Sequence, residues 1–242
     1  MRNPIAWLVG LVLGTGPMLL RSSLPLARVI LAVALLGVAG TFLAPAQEGV
    51  HRWIDLGPLH VNVAALLLPA AVVALAFCGI LSRIGLTFTA AIAALLILQP
   101  DASQATSFLV AVIILVVLST SPRRSVLIAI AAALLLGISW TRPDPLKPVV
   151  EVEGIFPLAF GVSPVLAVTA GLALAAASLA PLGLRITRGS SHRNAAFALT
   201  GYFLSAAICP VFGAFPVPLV GLGMSSPVGY WLGIALLCAK VV

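Results

Sequence analysis

A cluster of polar side chains lies between two long apolar runs, in the sequence HRWIDLGPLH at residues 51–60. Its arginine, Arg52, carries a planar guanidinium that suits phosphate oxygens, so Arg52 is a candidate for binding a diphosphate. The alternative is a surface arginine that pairs with Asp55 or Glu48. The cluster is therefore either a solvated connector or one wall of a site.

Carboxylates are the other groups in this sequence that could do chemistry, because they act as general bases or hold cations. The sequence has six of them: Glu48, Asp55, Asp101, Asp144, Glu151 and Glu153. Asp101 could hold a cation or cap the helix that follows it, and capping is the favoured interpretation. Arg142 and Lys147 flank Asp144, where they could bind a pyrophosphate or simply be solvated.

The rest of the chain is predominantly apolar. Of its 242 residues, 62% are hydrophobic and 8% are charged, and the mean hydropathy is +1.21. Soluble domains carry about a quarter of charged residues, so this composition excludes a soluble enzyme and indicates a membrane protein. The net charge of +7 is interpreted as a signal of membrane topology and not of nucleic-acid binding. Trp53 is then interpreted as an interfacial aromatic residue, with a platform for a sugar ring as the alternative.

The apolar runs predict an all-α, polytopic helix bundle that forms a single transmembrane domain over residues 1–242. Nine membrane segments are predicted, near residues 5–20, 25–45, 59–81, 85–99, 105–120, 125–140, 155–183, 193–212 and 226–241. The segment 85–99 is short for a bilayer of about 30 Å, so it must pack inside the protein or thin the bilayer. The segment 155–183 contains Pro157, Pro164 and Pro181, which predict a kinked or broken helix.

The charges predict how the bundle is oriented. Nine of the thirteen basic residues fall in alternate connections or at the C-terminal end, and the other four lie on the opposite side. Because Lys and Arg collect in cytoplasmic loops, the N-terminus is predicted outside and the C-terminus in the cytoplasm. All six carboxylates then face the outside. His51 and His60 lack ligand-like partners in the sequence, so no metal site is expected.

Three motifs in order resemble the SEDS family of shape, elongation, division and sporulation proteins. Residues 52–58 read RWIDLGP and resemble the family's R-W-I-x-L-G-P loop. Residues 95–106 read LLILQPDASQAT and resemble its apolar stretch followed by QPDLGTA. Residues 210–226 read PVFGAFPVPLVGLGMSS and resemble its Pro/Gly-rich loop, which ends in two serines. All three fall on the predicted outer side, and the resemblance covers about residues 8–242.

The resemblance implies a fold of ten transmembrane helices around an outward-facing cavity, in the bacterial inner membrane. This chain is expected to lack the family's first helix and most of its large external loop. The family polymerises lipid II, a lipid-linked disaccharide-peptide, together with a transpeptidase partner. The implied partners are therefore the membrane, another membrane protein of the transpeptidase type or another complex subunit, and a lipid-linked saccharide. No cofactor is implied, apart from a divalent cation if the protein is active.

The sequence departs from the family where the family's charged groups should be. After the R-W-I-x-L-G-P loop, the family has a Glu and a Lys that face the cavity, and this chain has Ala65 and Leu68 there. The family's catalytic aspartate aligns with Glu153, whose extra methylene moves the carboxylate by about 1 Å, a displacement that can cost on the order of a hundredfold in rate. The resemblance thus makes Glu153 the candidate catalytic base. The candidate substrate-binding residues are Arg52, Asp55, Asp101, Arg142, Lys147, Ser225 and Ser226.

Three functions fit these observations. The favoured one is a degenerate relative that keeps the scaffold, has lost or reduced polymerisation, and binds a membrane partner or a lipid-linked intermediate. The second is an active glycosyltransferase that uses Glu153, Arg52 and Asp101. The third is an unrelated small-molecule transporter whose loops resemble the family by coincidence, although it lacks the intramembrane acids that a proton-coupled carrier usually needs.

Overall fold

The computed structural model describes residues 2–19, 21–57, 59–119, 122–184 and 189–241. Ten α-helices lie in these ranges: Arg2–Leu19 (α1), Leu24–Gly40 (α2), Val63–Cys78 (α3), Arg83–Leu98 (α4), Ala102–Val117 (α5), Pro122–Trp140 (α6), Ile155–Val162 (α7), Pro164–Gly183 (α8), Ser190–Ile208 (α9) and Ser225–Cys238 (α10). There are also two short β-pairs. Strands Arg21–Ser22 (β1) and Lys240–Val241 (β4) pair in parallel, and Trp53–Leu56 (β2) pairs antiparallel with Leu59–Asn62 (β3). The predicted helix bundle is confirmed.

The helix count in the described residues is ten and not the predicted nine, because the predicted segment 155–183 contains two helices. They divide at Ser163, whose backbone is extended with φ −165° and ψ 129°. Pro164 follows, and a proline restricts the residue before it to extended conformations. Each of the other eight predicted segments contains one helix.

The outer surface of the bundle is apolar. Leu127 of α6, Val12 of α1 and Leu172 of α8 are each between 67% and 69% exposed. Such a surface is stable in lipid and not in water. Four described helical stretches are long and apolar enough to cross a membrane by themselves: Leu24–Leu43, Pro122–Trp140, Pro164–Gly183 and Ser190–Val211. Five further apolar helices are shorter, so the chain is a membrane-embedded protein.

The centre of the bundle is α3, which packs against α2, α5, α9 and α10. Most of its side chains are buried, and Leu68 and Leu75 have no exposed surface. The short segment predicted at 85–99 is α4, with Ile92, Ala93 and Leu96 fully buried on one face. It therefore packs into the bundle on that face, which was one of the two options the sequence left.

A close helix contact at Gly229 fixes α10 against α3. A Cβ atom at Gly229 would lie 2.2 Å from the carbonyl oxygen of Ala65 and 2.8 Å from that of Leu66. We expect Gly229→Ala to lower the free energy of unfolding by about 1–3 kcal/mol, because the helices must separate. Thermal unfolding of the detergent-solubilised protein measures the effect. Gly137→Ala is the matched control, since nothing lies within 4 Å of that site, and equal melting temperatures for the two variants would contradict the prediction.

Four connections meet at one end of the bundle, which we call the acidic end: residues 41–62, 99–101, 141–154 and 209–224. Backbone hydrogen bonds join two of them, from Val217 N–H to the Val152 carbonyl (3.1 Å) and from Leu222 N–H to the Glu151 carbonyl (3.0 Å). All six carboxylates of the chain lie in these connections. At the opposite end β1 pairs with β4. The sequence motifs therefore lie on the same side of the bundle.

Candidate functional site

A cavity of about 650 Å³ opens at the acidic end. Its walls come from α1, the β2–β3 hairpin, the start of α5, the 141–154 connection and the loop before α10. Six of the eight candidate residues from the sequence line it: Arg52, Asp101, Lys147, Glu153, Ser225 and Ser226. The fold therefore brings together most of the predicted set, while Asp55 and Arg142 lie elsewhere.

The β2–β3 hairpin holds Asp55 away from the cavity. Asp55 and His60 are directly opposite each other in the antiparallel register, and Asp55 Oδ1 lies 2.5 Å from His60 Nδ1. Gly57 has φ +62°, the left-handed conformation that a tight turn needs and that glycine adopts without strain. The Trp53 ring stacks on the His60 ring with 5.1 Å between centroids and 17° between planes. Because His60 covers one face of Trp53, that face is closed to a sugar ring.

Arg52 lies at the base of the cavity and is only 4% exposed. Its Nε lies 3.5 Å from Asp101 Oδ2, and its Nη2 donates to Asp144 Oδ2 at 2.8 Å. Nη2 also contacts the carbonyl oxygen of Pro100. The sequence alternative that paired Arg52 with Asp55 or Glu48 is wrong, because the ion pairs of Arg52 are with Asp101 and Asp144, and Asp55 is bonded to His60. One guanidinium therefore faces two carboxylates.

Asp101 has two roles in the structure. Its Oδ1 accepts from the backbone N–H of Gln104 at 3.1 Å and caps the N-terminus of α5, so the favoured capping interpretation is confirmed. Its Oδ2 faces Arg52. The neighbouring Gln99 is 1% exposed and donates to the Thr41 hydroxyl at the end of α2. The Gln99-Pro100-Asp101 motif thus fixes the α4–α5 turn against α2 and Arg52.

Glu153 lines the same cavity, in a turn that follows the extended part of the 141–154 connection. Its Oε2 accepts from the backbone N–H of Val149 at 2.6 Å. Partial burial raises the pKa of the Glu153 carboxyl above its usual range, and the charge of Asp144 adds to the increase. A raised pKa makes a carboxylate a stronger base, which suits a general base. Oε2 of Glu153 already accepts the hydrogen bond from Val149, so only Oε1 is available to a substrate hydroxyl.

Asp144 is a residue of this site that the sequence did not select. It stands between Pro143 and Pro145, and its side chain is 21% exposed where it meets Arg52. A second cavity of about 190 Å³ lies beside the first, and Asp144 lines both. Arg142 lines only this smaller cavity, next to Phe212 and Phe215. The sequence signal for Asp144 was its position between two cationic residues, which pointed to solvation and not to Arg52.

The two serines of the third motif lie where α10 begins. The Ser225 hydroxyl accepts from the backbone N–H of Asn62 at 2.9 Å, and the Asn62 side chain caps α3 through the N–H of Ala65. Ser225 therefore joins α10 to the hairpin, and Ser226 lines the cavity beside it. Ala65, which the sequence resemblance aligns with the family's glutamate, also lines the cavity, whereas Leu68 is fully buried in the core. The wall thus has a methyl group where the family is expected to have a charge.

The described residues include no group of three or more His, Cys, Asp or Glu side chains that could hold a metal ion. Near Arg52 the two aspartates already have a cationic partner. The arrangement can form hydrogen bonds and ion pairs with a ligand.

The sequence matches no protein-family profile and no curated protein. Solved structures, in contrast, share its fold. Two structures of the rod shape determining protein RodA of Thermus thermophilus match at 21% identity, covering 98% of this chain and 85% of that one. The TM-score is 0.66 for a mutant form and 0.63 for the other structure. A structure reported for the coordination of polymerization and crosslinking by a peptidoglycan synthase complex matches with a TM-score of 0.62 at 22% identity, covering 98% of this chain and 87% of that one. The fold that the resemblance to the SEDS family implies is thereby confirmed: this chain has the fold of RodA.

Proposed function

We propose that this protein is a SEDS-like membrane protein of the peptidoglycan-synthesis class that binds a lipid-linked glycan intermediate or a membrane partner without polymerising glycan. In this proposal, residues 1–242 form a single transmembrane domain. One observation carries it: Arg52, the cation best placed to hold a diphosphate, is paired with both Asp101 and Asp144 inside the protein.

The electrostatics of the cavity support the loss of polymerase activity. In glycosyl transfer the lipid diphosphate leaves from the anomeric carbon of the donor sugar, and positive charge must be free to stabilise it. Here two buried or half-buried carboxylates already neutralise Arg52. The positions that align with the family's glutamate and lysine hold Ala65 and Leu68. Both the charge and the ion pair that the resemblance implies for catalysis are therefore replaced in this chain.

One observation favours the alternative, an active lipid II-type glycosyltransferase. Glu153 lines the same cavity as Arg52 and Asp101, and its pKa is raised by burial. A carboxylate of that kind could accept the proton of a sugar hydroxyl as general base. Because Oε2 accepts the hydrogen bond from Val149 N–H, Oε1 would have to accept the proton of the hydroxyl.

The proposed orientation places the acidic end on the outer face of the bacterial inner membrane. Nine of thirteen basic residues belong to the connections and the C-terminal end on the other side, which the positive-inside rule makes cytoplasmic. The N-terminus is then outside and the C-terminus is in the cytoplasm. The proposed partner is a membrane protein of the transpeptidase type, in line with the peptidoglycan synthase complex whose fold is similar.

A lipid II assay on purified protein tests the proposal. We expect the protein to bind lipid II in nanodiscs and to form no glycan strand, because Asp101 and Asp144 already neutralise Arg52, the cation best placed for the leaving diphosphate. Binding is measured by co-purification of labelled lipid II, and products are separated by gel electrophoresis. A product that disappears in Glu153→Gln and persists in Asp55→Asn would contradict the proposal and establish the active enzyme, since Asp55 lies outside the cavity.

A further inference from the structure

A carboxamide in the floor of the large cavity has a fixed orientation. The Tyr202 hydroxyl donates to Gln104 Oε1 at 2.5 Å, across 98 residues of sequence. Tyr202 is 2% exposed and its ring packs edge-on against Phe203, with 5.1 Å between centroids. A buried hydroxyl that loses its acceptor is costly, so the amide oxygen must face Tyr202. The amide nitrogen of Gln104 is then on the other side, and Gln104 lines the cavity.

The charged groups of the cavity disfavour an anion. Its lining contains two cations, Arg52 and Lys147, and three carboxylates, Asp101, Asp144 and Glu153. Arg52 is already paired with two of those carboxylates. A diphosphate would therefore enter a cavity without any excess of positive charge, and it would lose its hydration there.

Uncharged hydroxyl groups fit the same lining better. A hydroxyl both donates and accepts, so it can accept from the Gln104 amide and donate to a carboxylate such as Glu153. The lining also includes polar side chains, among them Asn62, Ser103 and Ser226, and apolar ones: Ile5, Leu59, Val152, Leu222 and Met224. The cavity thus combines a hydrogen-bonding floor with walls that suit a hydrocarbon chain.

We propose that the cavity recognises the uncharged, polyhydroxylated end of a lipid, such as a glycosyl group, and that Gln104, oriented by Tyr202, is the residue that recognises it. This inference rests on the proposed function and specifies its ligand class. Gln104 binds the ligand oxygen directly, and Tyr202 is a positioning residue that keeps the amide nitrogen on the cavity side.

Two lipids with the same chain test the ligand class: geranylgeranyl β-glucoside and geranylgeranyl diphosphate. Binding to the full-length protein in nanodiscs is measured by the quenching of tryptophan fluorescence, since Trp53 lines the cavity. We expect the glucoside to bind about tenfold more tightly than the diphosphate. Tighter binding of the diphosphate would overturn the inference and leave the proposed function intact. Binding of neither lipid would overturn the inference, whereas the proposed function is decided separately by the lipid II assay.

Gln104→Glu tests the residue, because a carboxylate of the same size keeps an acceptor for Tyr202 and removes the N–H donors. We expect about tenfold weaker glucoside binding. Gln47→Glu is the matched control, since Gln47 also lines the cavity and its amide lies 3.1 Å from His60 Nε2. Equal losses in the two variants would overturn the assignment of Gln104.

Tyr202→Phe tests the positioning role, because the amide of Gln104 can then rotate. Glucoside binding should weaken by less than in Gln104→Glu, and the double variant should be no weaker than Gln104→Glu alone. If the losses of glucoside affinity in the two single variants added up in the double variant, Tyr202 would act separately from Gln104. That result would overturn the positioning role. The melting temperature of each variant, measured in the same nanodiscs, verifies that the protein remains folded.

Discussion

Replacing Arg52 with methionine is expected to lower the free energy of unfolding by about 3–5 kcal/mol, because it leaves buried carboxylates without their cation. Asp101 is 4% exposed, so little solvent reaches its carboxylate to replace the guanidinium. Asp144 contributes less to the loss, since its side chain is 21% exposed. Methionine is chosen because its unbranched chain fills much of the space of an arginine stem.

The measurement is a denaturation curve in mixed detergent micelles, with wild type and variant compared at neutral pH. Arg142→Met is the control, because Arg142 is exposed and lines only the smaller cavity. A second variant that combines Arg52→Met with Asp101→Asn should recover most of the lost stability, since the uncompensated buried charge is then gone. If Arg52→Met and Arg142→Met were equally stable, Arg52 would have to be a solvated, ligand-ready cation.

The result bears directly on function. A guanidinium whose charge is already balanced by two internal carboxylates attracts a ligand anion only weakly unless it releases one of them. Asp144 is the partner that could be released more easily, because it is the more exposed carboxylate and lies in a connection with no regular structure. A large effect in Arg52→Met would therefore favour the binding role that we propose over a polymerase that grips diphosphate.

The convergence of Arg52, Asp101 and Ser225 could be predicted from the sequence. In the predicted order, Arg52 follows two membrane segments, Asp101 follows four and Ser225 follows eight. Because each of these numbers is even, alternation of the spans puts all three residues at one end. Asp101 was also predictable as a helix cap, because aspartate directly before a helical run is a strong N-terminal signal. These inferences needed only span counting and local chemistry.

The partner of Arg52 could not be predicted in the same way. Asp144 lies 92 residues away, in a proline-rich connection without the periodicity that would indicate its position. Asp55 was the local candidate, but the hairpin register places it opposite His60. The bond between Tyr202 and Gln104 was likewise hidden, because it depends on how α5 packs against α9. Long-range packing decides such pairs, and a single sequence carries no direct signal of it.

The division of the predicted segment 155–183 shows a finer limit. Its three prolines predicted a broken helix, and the break lies at Ser163, directly before Pro164. Pro157 and Pro181 lie within α7 and α8, where neither ends its helix. A proline in the first turn has no intrahelical N–H partner to lose, so Pro157 is tolerated there.

Leu68→Lys is expected to be the most destabilising single change on α3. Leu68 has no exposed surface, and it packs in the central cluster of the bundle. A lysine there must either keep its charge in the apolar core or lose its proton. Burial lowers the pKa of a lysine by several units, which corresponds to a cost of about 4 kcal/mol or more. The change restores the residue type that the SEDS resemblance implies at this position, so it tests whether the chain has lost the capacity to hold that charge.

Ala65→Glu is the informative companion, because Ala65 lines the cavity and a glutamate there can reach solvent. Its cost should be about 1–2 kcal/mol, measured by the same denaturation in detergent micelles. Each substitution adds one charge to the same helix. The difference between their losses of unfolding free energy therefore reports how buried each position is. If Leu68→Lys were as stable as Ala65→Glu, the core around Leu68 would be able to rearrange and expose a charge. A large difference would mean instead that the hydrocarbon at Leu68 has become part of the packing that holds α3 in place, and that adding back the family's charges one at a time does not restore the family's site.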